Sequence, residues 1–146
     1  MRRNGMILAV CVCVAVTYVT LGADEKPTEA YQKAMKDLSA TNQALRAEVK
    51  TIEGAGAYPD FTPIDKYVAT LRTALNVTLA YWNDKKVDDA IKMTQAGLKG
   101  VNDLEKAAKE KSYDSLVASA GAIATTCASC HKAHRVQTPE GLYEIK

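Results

Sequence analysis

The sequence is poor in aromatic side chains: one Trp, one Phe and seven Tyr make up 6% of its 146 residues. No apolar run reaches the ~20 residues that a bilayer-spanning helix needs, which argues against a retained membrane anchor. The longest runs from Met6 to Val19 behind Arg2 and Arg3, and Thr20-Leu21-Gly22 follows it. A basic start, a short apolar stretch and small residues at its end predict a secretory signal over residues 1–22. Without that segment the lysines and arginines fall from 19 to 17, equal to the 17 acidic residues. A neutral mature chain lacks the basic face that nucleic-acid binding wants. Cys11 and Cys13 leave with the signal, so an exported chain keeps only Cys127 and Cys130. No repeat, low-complexity block or recognisable set of nucleophile, base and orienting group is present, so the sequence does not read as an enzyme.

No segment alternates with the period of two that a half-buried strand requires, whereas four segments carry helical periodicity. The first is expected to open near Pro27 and end by Gly54, with Tyr31, Met35, Leu38, Asn42, Leu45, Val49 and Ile52 on one stripe. Thr62-Pro63 is expected to cap a second helix with Ile64, Val68, Leu71, Leu75, Thr78 and Trp82 on its stripe. A weakly marked turn around Asn83-Asp84-Lys85-Lys86 leads to a third, carrying Val87, Ile91, Thr94, Leu98, Val101 and Leu104. Gly97 and Gly100 each cost such a helix about 1 kcal/mol relative to Ala, so either something packs close to them or they are simply tolerated. Ser112 can cap a fourth helix, where Leu116, Ala120, Ile123, Cys127, Cys130 and His134 repeat the rhythm. Residues 23–146 therefore predict one all-α domain, an antiparallel up-down-up-down four-helix bundle, with a loose tail from about 136.

The last helix carries Cys127-Ala128-Ser129-Cys130-His131, the C-x-x-C-H pattern of covalent haem attachment. Cys127 and Cys130 share a helix face, and His131 lies one turn beyond Cys127. Two thioethers and an axial imidazole can thus meet one porphyrin, giving one haem c. The run Ala118, Ser119, Ala120, Gly121, Ala122 and Ala124 before the motif is expected to leave room for a flat ligand, or else to form a close helix seam.

Two other chemistries compete for the cysteines. A thioredoxin-like dithiol wants its pair at a helix N-terminus, where the dipole favours the thiolate; here it lies near the C-terminus. Zinc would need Cys127, Cys130, His131 and His134 to converge. They span about 10 Å of helix rise, too much for ligands at about 2.0 to 2.3 Å without unwinding.

With a C-terminal C-x-x-C-H on the last of four helices, the chain resembles the cytochrome c′ family, the class II c-type cytochromes. The likeness is carried by Cys127-Ala128-Ser129-Cys130-His131-Lys132-Ala133-His134-Arg135 and by Tyr31-Gln32-Lys33-Ala34-Met35-Lys36-Asp37 in the first helix. The resemblance implies that His131 is an axial iron ligand and that Met35 is the candidate sixth ligand, as in low-spin members. It implies that Arg135 lies by a haem propionate. His134 stands where the family more often has an aromatic residue and is not expected to be a ligand. Met35 can also be read as core filler, and Asn42 as a polar register device, the preferred reading, or as a group near the haem edge. The expected function is one-electron transfer to redox partner proteins in the periplasm, with no membrane association after signal cleavage; family likeness leaves room for a homodimer. The alternative is a five-coordinate haem protein that binds nitric oxide or carbon monoxide, and the least favoured reading is a zinc or dithiol module.

Overall fold

A computed structural model describes residues 26–139 and 143–145 of the chain. The expected signal segment lies outside the described residues. Four helices, α1 (Glu29–Gly54), α2 (Ile64–Lys85), α3 (Asp88–Lys109) and α4 (Tyr113–His134), are joined by short connections. They form the expected all-α four-helix bundle. Each helix packs on its neighbour in sequence, most extensively α3 on α4, whereas α1 touches α4 only slightly. Among the described residues no helix is long and apolar enough to cross a membrane.

Local chemistry sets the helix ends, in places differently from the sequence expectation. Thr28 Oγ1 accepts from the Tyr31 N–H at 3.2 Å, which makes Thr28 the cap and leaves Pro27 just outside α1. Before α2 it is Asp60 that acts: its carboxylate accepts from the Thr62 N–H at 2.9 Å, and Thr62 does not cap. Ser112 bonds the Ser115 hydroxyl at 2.8 Å rather than a backbone N–H of α4. The α2–α3 turn is made by Lys86 in the left-handed region, φ 55°, with its N–H bonded to the Asn83 carbonyl. A non-glycine residue at that φ is uncommon, so no ordinary turn signal marks the break.

The stripes read from the sequence face inward. Leu45, Ile64, Leu71, Val101, Leu104, Leu116 and Ile123 are all fully buried and belong to one core cluster. Each such aliphatic side chain stabilises the fold by about 1.5 to 3 kcal/mol relative to exposure. Both glycines of α3 are buried, and Gly100 lies so near α4 that a Cβ there would stand 2.9 Å from Ile123 Cγ1. A second cluster joins Tyr31, Tyr81, Trp82 and Ala90. In it the Tyr31 and Tyr81 ring centroids are 4.2 Å apart, and Trp82 meets both edge-on.

The segment after α4, read as a loose tail, contains a short antiparallel pair, β1 (Arg135–Gln137) with β2 (Tyr143–Ile145), Arg135 opposite Ile145. Ile145 packs against the aromatic cluster. Three-residue strands are too short to show alternation in sequence.

Candidate functional site: a cavity at the cysteine motif

Helix α4 stays helical through Cys127, Cys130 and His131, which keeps the three side chains on the same side of one helix. They line a cavity of about 320 Å³ at the slightly packed α1–α4 seam. This volume falls in the range of roughly 300 to 1,000 Å³ typical of small-molecule sites. Helix α1 contributes Tyr31, Met35 and Leu38 and a polar rim of Ser39, Asn42, Gln43 and Arg46. Leu75 and Thr78 come from α2, and Met93, Thr94 and Gly97 from α3. The lining is mostly apolar, as a porphyrin's faces require.

The small residues of α4 divide differently from the sequence expectation. Ala118, Gly121 and Ala122 face outward, and Ser119 and Ala120 are buried. Of the run before the motif only Ala124 lines the cavity, joined by Ala128 within it. The helix turns about 100° per residue, so a continuous run of small residues cannot all face one ligand.

Burial sets the electrostatics. It pushes the Cys127 thiol up and the Cys130 thiol up to about 11, the latter helped by Cys127 and Asp89. Neither is a ready thiolate, in contrast to the low-pKa cysteine of a dithiol oxidoreductase. Burial also lowers the His131 imidazole, with Arg135 adding to the effect, which favours the neutral form that binds metals. The Tyr31 hydroxyl, close to Cys130, is raised well above the ordinary tyrosine range, chiefly by burial.

Met35 lies in the cavity wall, and it also packs against both apolar clusters. Met93 lines the same cavity. Arg135 does not. It follows the last turn of α4 with extended backbone, φ −125° and ψ 133°, so the step of four from His131 ends where the helix ends. His134 turns away, with its Nε2 3.0 Å from Asp89 Oδ2 and its ring 5.1 Å from that of Trp82. Among the described residues no three His, Cys, Asp or Glu side chains converge where they could hold a metal ion. That geometry gives no support to four-ligand zinc.

Two polar features stand out in the lining, of which the sequence marks Asn42 but not Arg46. Asn42 Oδ1 is buried without a hydrogen-bond partner. Arg46, one turn further along α1, lines the cavity and influences the Cys127 thiol electrostatically. Their spacing of four was the available signal, masked because Arg46 lies off the apolar stripe.

The donor set therefore suits haem c: two thiols, a neutral imidazole and thioethers around one mostly apolar space. In comparisons with family models, curated proteins and solved structures, the chain has no match.

Proposed function

We propose that this chain is an exported monohaem c-type cytochrome of the cytochrome c′ kind, a one-electron carrier that works with redox partner proteins in the periplasm. The observation that carries this reading is that Cys127, Cys130, His131 and Met35, read from two separate segments of sequence, line a single cavity. Cys127 and Cys130 would hold the porphyrin as thioethers, and His131 would supply the axial nitrogen. When bound, the haem supplies a one-electron couple between ferric and ferrous iron. The chain's part is to seat it. Leu38, Leu75 and Ala124 would keep water from its faces, and Met35 on α1 would serve as the sixth ligand.

A five-coordinate, gas-binding protein is the second reading. It is favoured by the packing of Met35 against both core clusters, which gives that side chain a structural role without iron. The visible spectrum of protein matured with a working haem-attachment system tests both. A low-spin haem c spectrum unmoved by carbon monoxide supports the electron carrier. A high-spin ferrous spectrum that shifts with carbon monoxide supports the gas binder, and colourless protein would retire both.

A further inference from the structure

Some cations of this bundle are neutralised where they stand. Lys33 on α1 and Lys99, Lys106 and Lys109 on α3 each pair with an acid one turn away. Lys36, Arg46, Lys50 and Lys132 make no salt bridge among the described residues. On α1, steps of three and four from Lys36 through Ser39, Gln43 and Arg46 to Lys50 keep five exposed positions on one face. Ser39, Gln43 and Arg46 are the polar rim of the cavity, so Lys36 and Lys50 extend the same edge in both directions. Across the seam, α4 carries no Asp, Glu, Lys or Arg from Ser115 to His131, and Lys132 follows at once. No Asp or Glu lines the cavity. Asp89, which influences Cys130, is engaged by His134, and Glu53, the step after Lys50, lies beside the Tyr113 hydroxyl. The edge between α1 and α4 is therefore cationic along one lip and uncharged along the other.

We propose that this edge is the docking surface for an acidic protein partner, with Lys36, Arg46, Lys50 and Lys132 as a charged rim around the uncharged lip of α4. The inference rests on the haem reading above and gives the redox partner its chemistry. The mature chain balances 17 basic against 17 acidic residues, so net charge steers nothing toward it. An unneutralised cluster does steer, within a Debye length of about 8 Å at physiological ionic strength. Protein interfaces combine a centre depleted in charge with a polar rim, and complementary charge there raises the association rate. A bilayer would instead want bulky apolar side chains to insert beside the cations. The exposed side of α4 offers Gly121 and Ala128, with Val117 as its one exposed large apolar residue, which suits the close approach of a protein face.

The test uses the mature haem-loaded protein with two one-electron oxidants of opposite charge, ferricyanide and the cationic cobalt tris-phenanthroline complex, each taking one electron from the ferrous protein. Rising salt should slow the reaction with ferricyanide and speed the reaction with the cobalt complex, although the chain is formally neutral. Lys36→Glu combined with Lys50→Glu should cut the ferricyanide rate at low salt about tenfold. Lys66→Glu combined with Lys111→Glu makes the same change in net charge at exposed positions at the other end of the bundle and should leave most of that rate. Binding is read separately, by amide chemical shifts on adding polyglutamate at low salt, which should move signals from Lys36 to Lys50 and around Lys132. Rates that ignore salt, equal losses in the two double variants, or polyglutamate shifts elsewhere would overturn the docking surface while the haem c spectrum stands. Tighter capture by phosphatidylglycerol vesicles than by polyglutamate would overturn it in favour of a membrane. Absence of haem c would overturn the proposed function itself, and the polyglutamate shifts would still decide the surface.

Discussion

Gly100 of α3 lies directly against Ile123 of α4: a Cβ on Gly100 would come within 2.9 Å of Ile123 Cγ1 and 3.7 Å of its backbone nitrogen. Ile123 is itself fully buried, so it has little room to yield. Gly100→Ala is expected to destabilise the fold by about 1 to 3 kcal/mol through overpacking, despite Ala's better helix propensity. Gly121 has no atom within 4 Å of its would-be Cβ, and Gly121→Ala should stabilise by about 0.5 to 1 kcal/mol. Urea denaturation of the two variants gives opposite shifts in midpoint. Equal shifts would refute the packing distinction.

If Met35 completes the iron's coordination, Met35→Ala converts a low-spin spectrum to a high-spin one that responds to carbon monoxide. Met93→Ala is the matched control, because it removes a thioether from the same cavity wall. An unchanged spectrum in Met35→Ala would retire that ligand, and a change confined to Met93→Ala would transfer the role to α3.

Glu105 on α3 receives a 2.7 Å contact from Arg72 on α2 and is flanked by Lys109. The Arg72 hydrogen bond first, then Lys109, lower its carboxyl from the ordinary value of 4.5 to about 2. The unfolded chain therefore binds a proton at higher pH than the folded one. Stability from this group is complete above pH 4.5 and is lost as pH falls toward 2. Glu105→Gln should flatten the dependence of Tm on pH across that window and leave it unaltered well above it. A slope identical to wild type would show that the α2–α3 bridge contributes nothing.

Lys86 holds a left-handed conformation at the end of α2. A Cβ is unfavourable there, so Lys86→Gly is expected to raise stability by up to about 1 kcal/mol, read as a higher Tm. A fall in Tm would show that the lysine side chain supplies more than its backbone costs.

The bundle was legible because its stripes serve one purpose: Leu38, Leu45, Leu71, Leu104 and Leu116 recur at helical spacing and are buried together. The location of Cys127, Cys130 and Met35 on inward-facing stripes was legible for the same reason. Arg46 was not, since an exposed rim position obeys no periodic rule and acquires meaning only from the cavity beside it. The tail pairing was hidden because two three-residue strands depend on each other and on Ile145 reaching the aromatic cluster, contacts far apart in sequence. Asp60 shapes the entrance to α2 because its carboxylate accepts from the Thr62 backbone N–H two residues on, an outcome of loop geometry rather than residue preference.

The slight contact between α1 and α4 makes the molecule mechanically uneven. Cys127, Cys130 and His131 are on the helix with the most extensive seam, whereas Met35, Asn42 and Arg46 ride on the helix across the weakest one. Local opening follows the least packed seam, so the bundle parts between α1 and α4 while α1 stays on α2 and α4 on α3. Amide exchange should therefore be faster along the α4-facing side of α1 than in α4 around Ile123. On the proposed reading, a disturbance that loosens the protein parts Met35 from the iron before it parts His131.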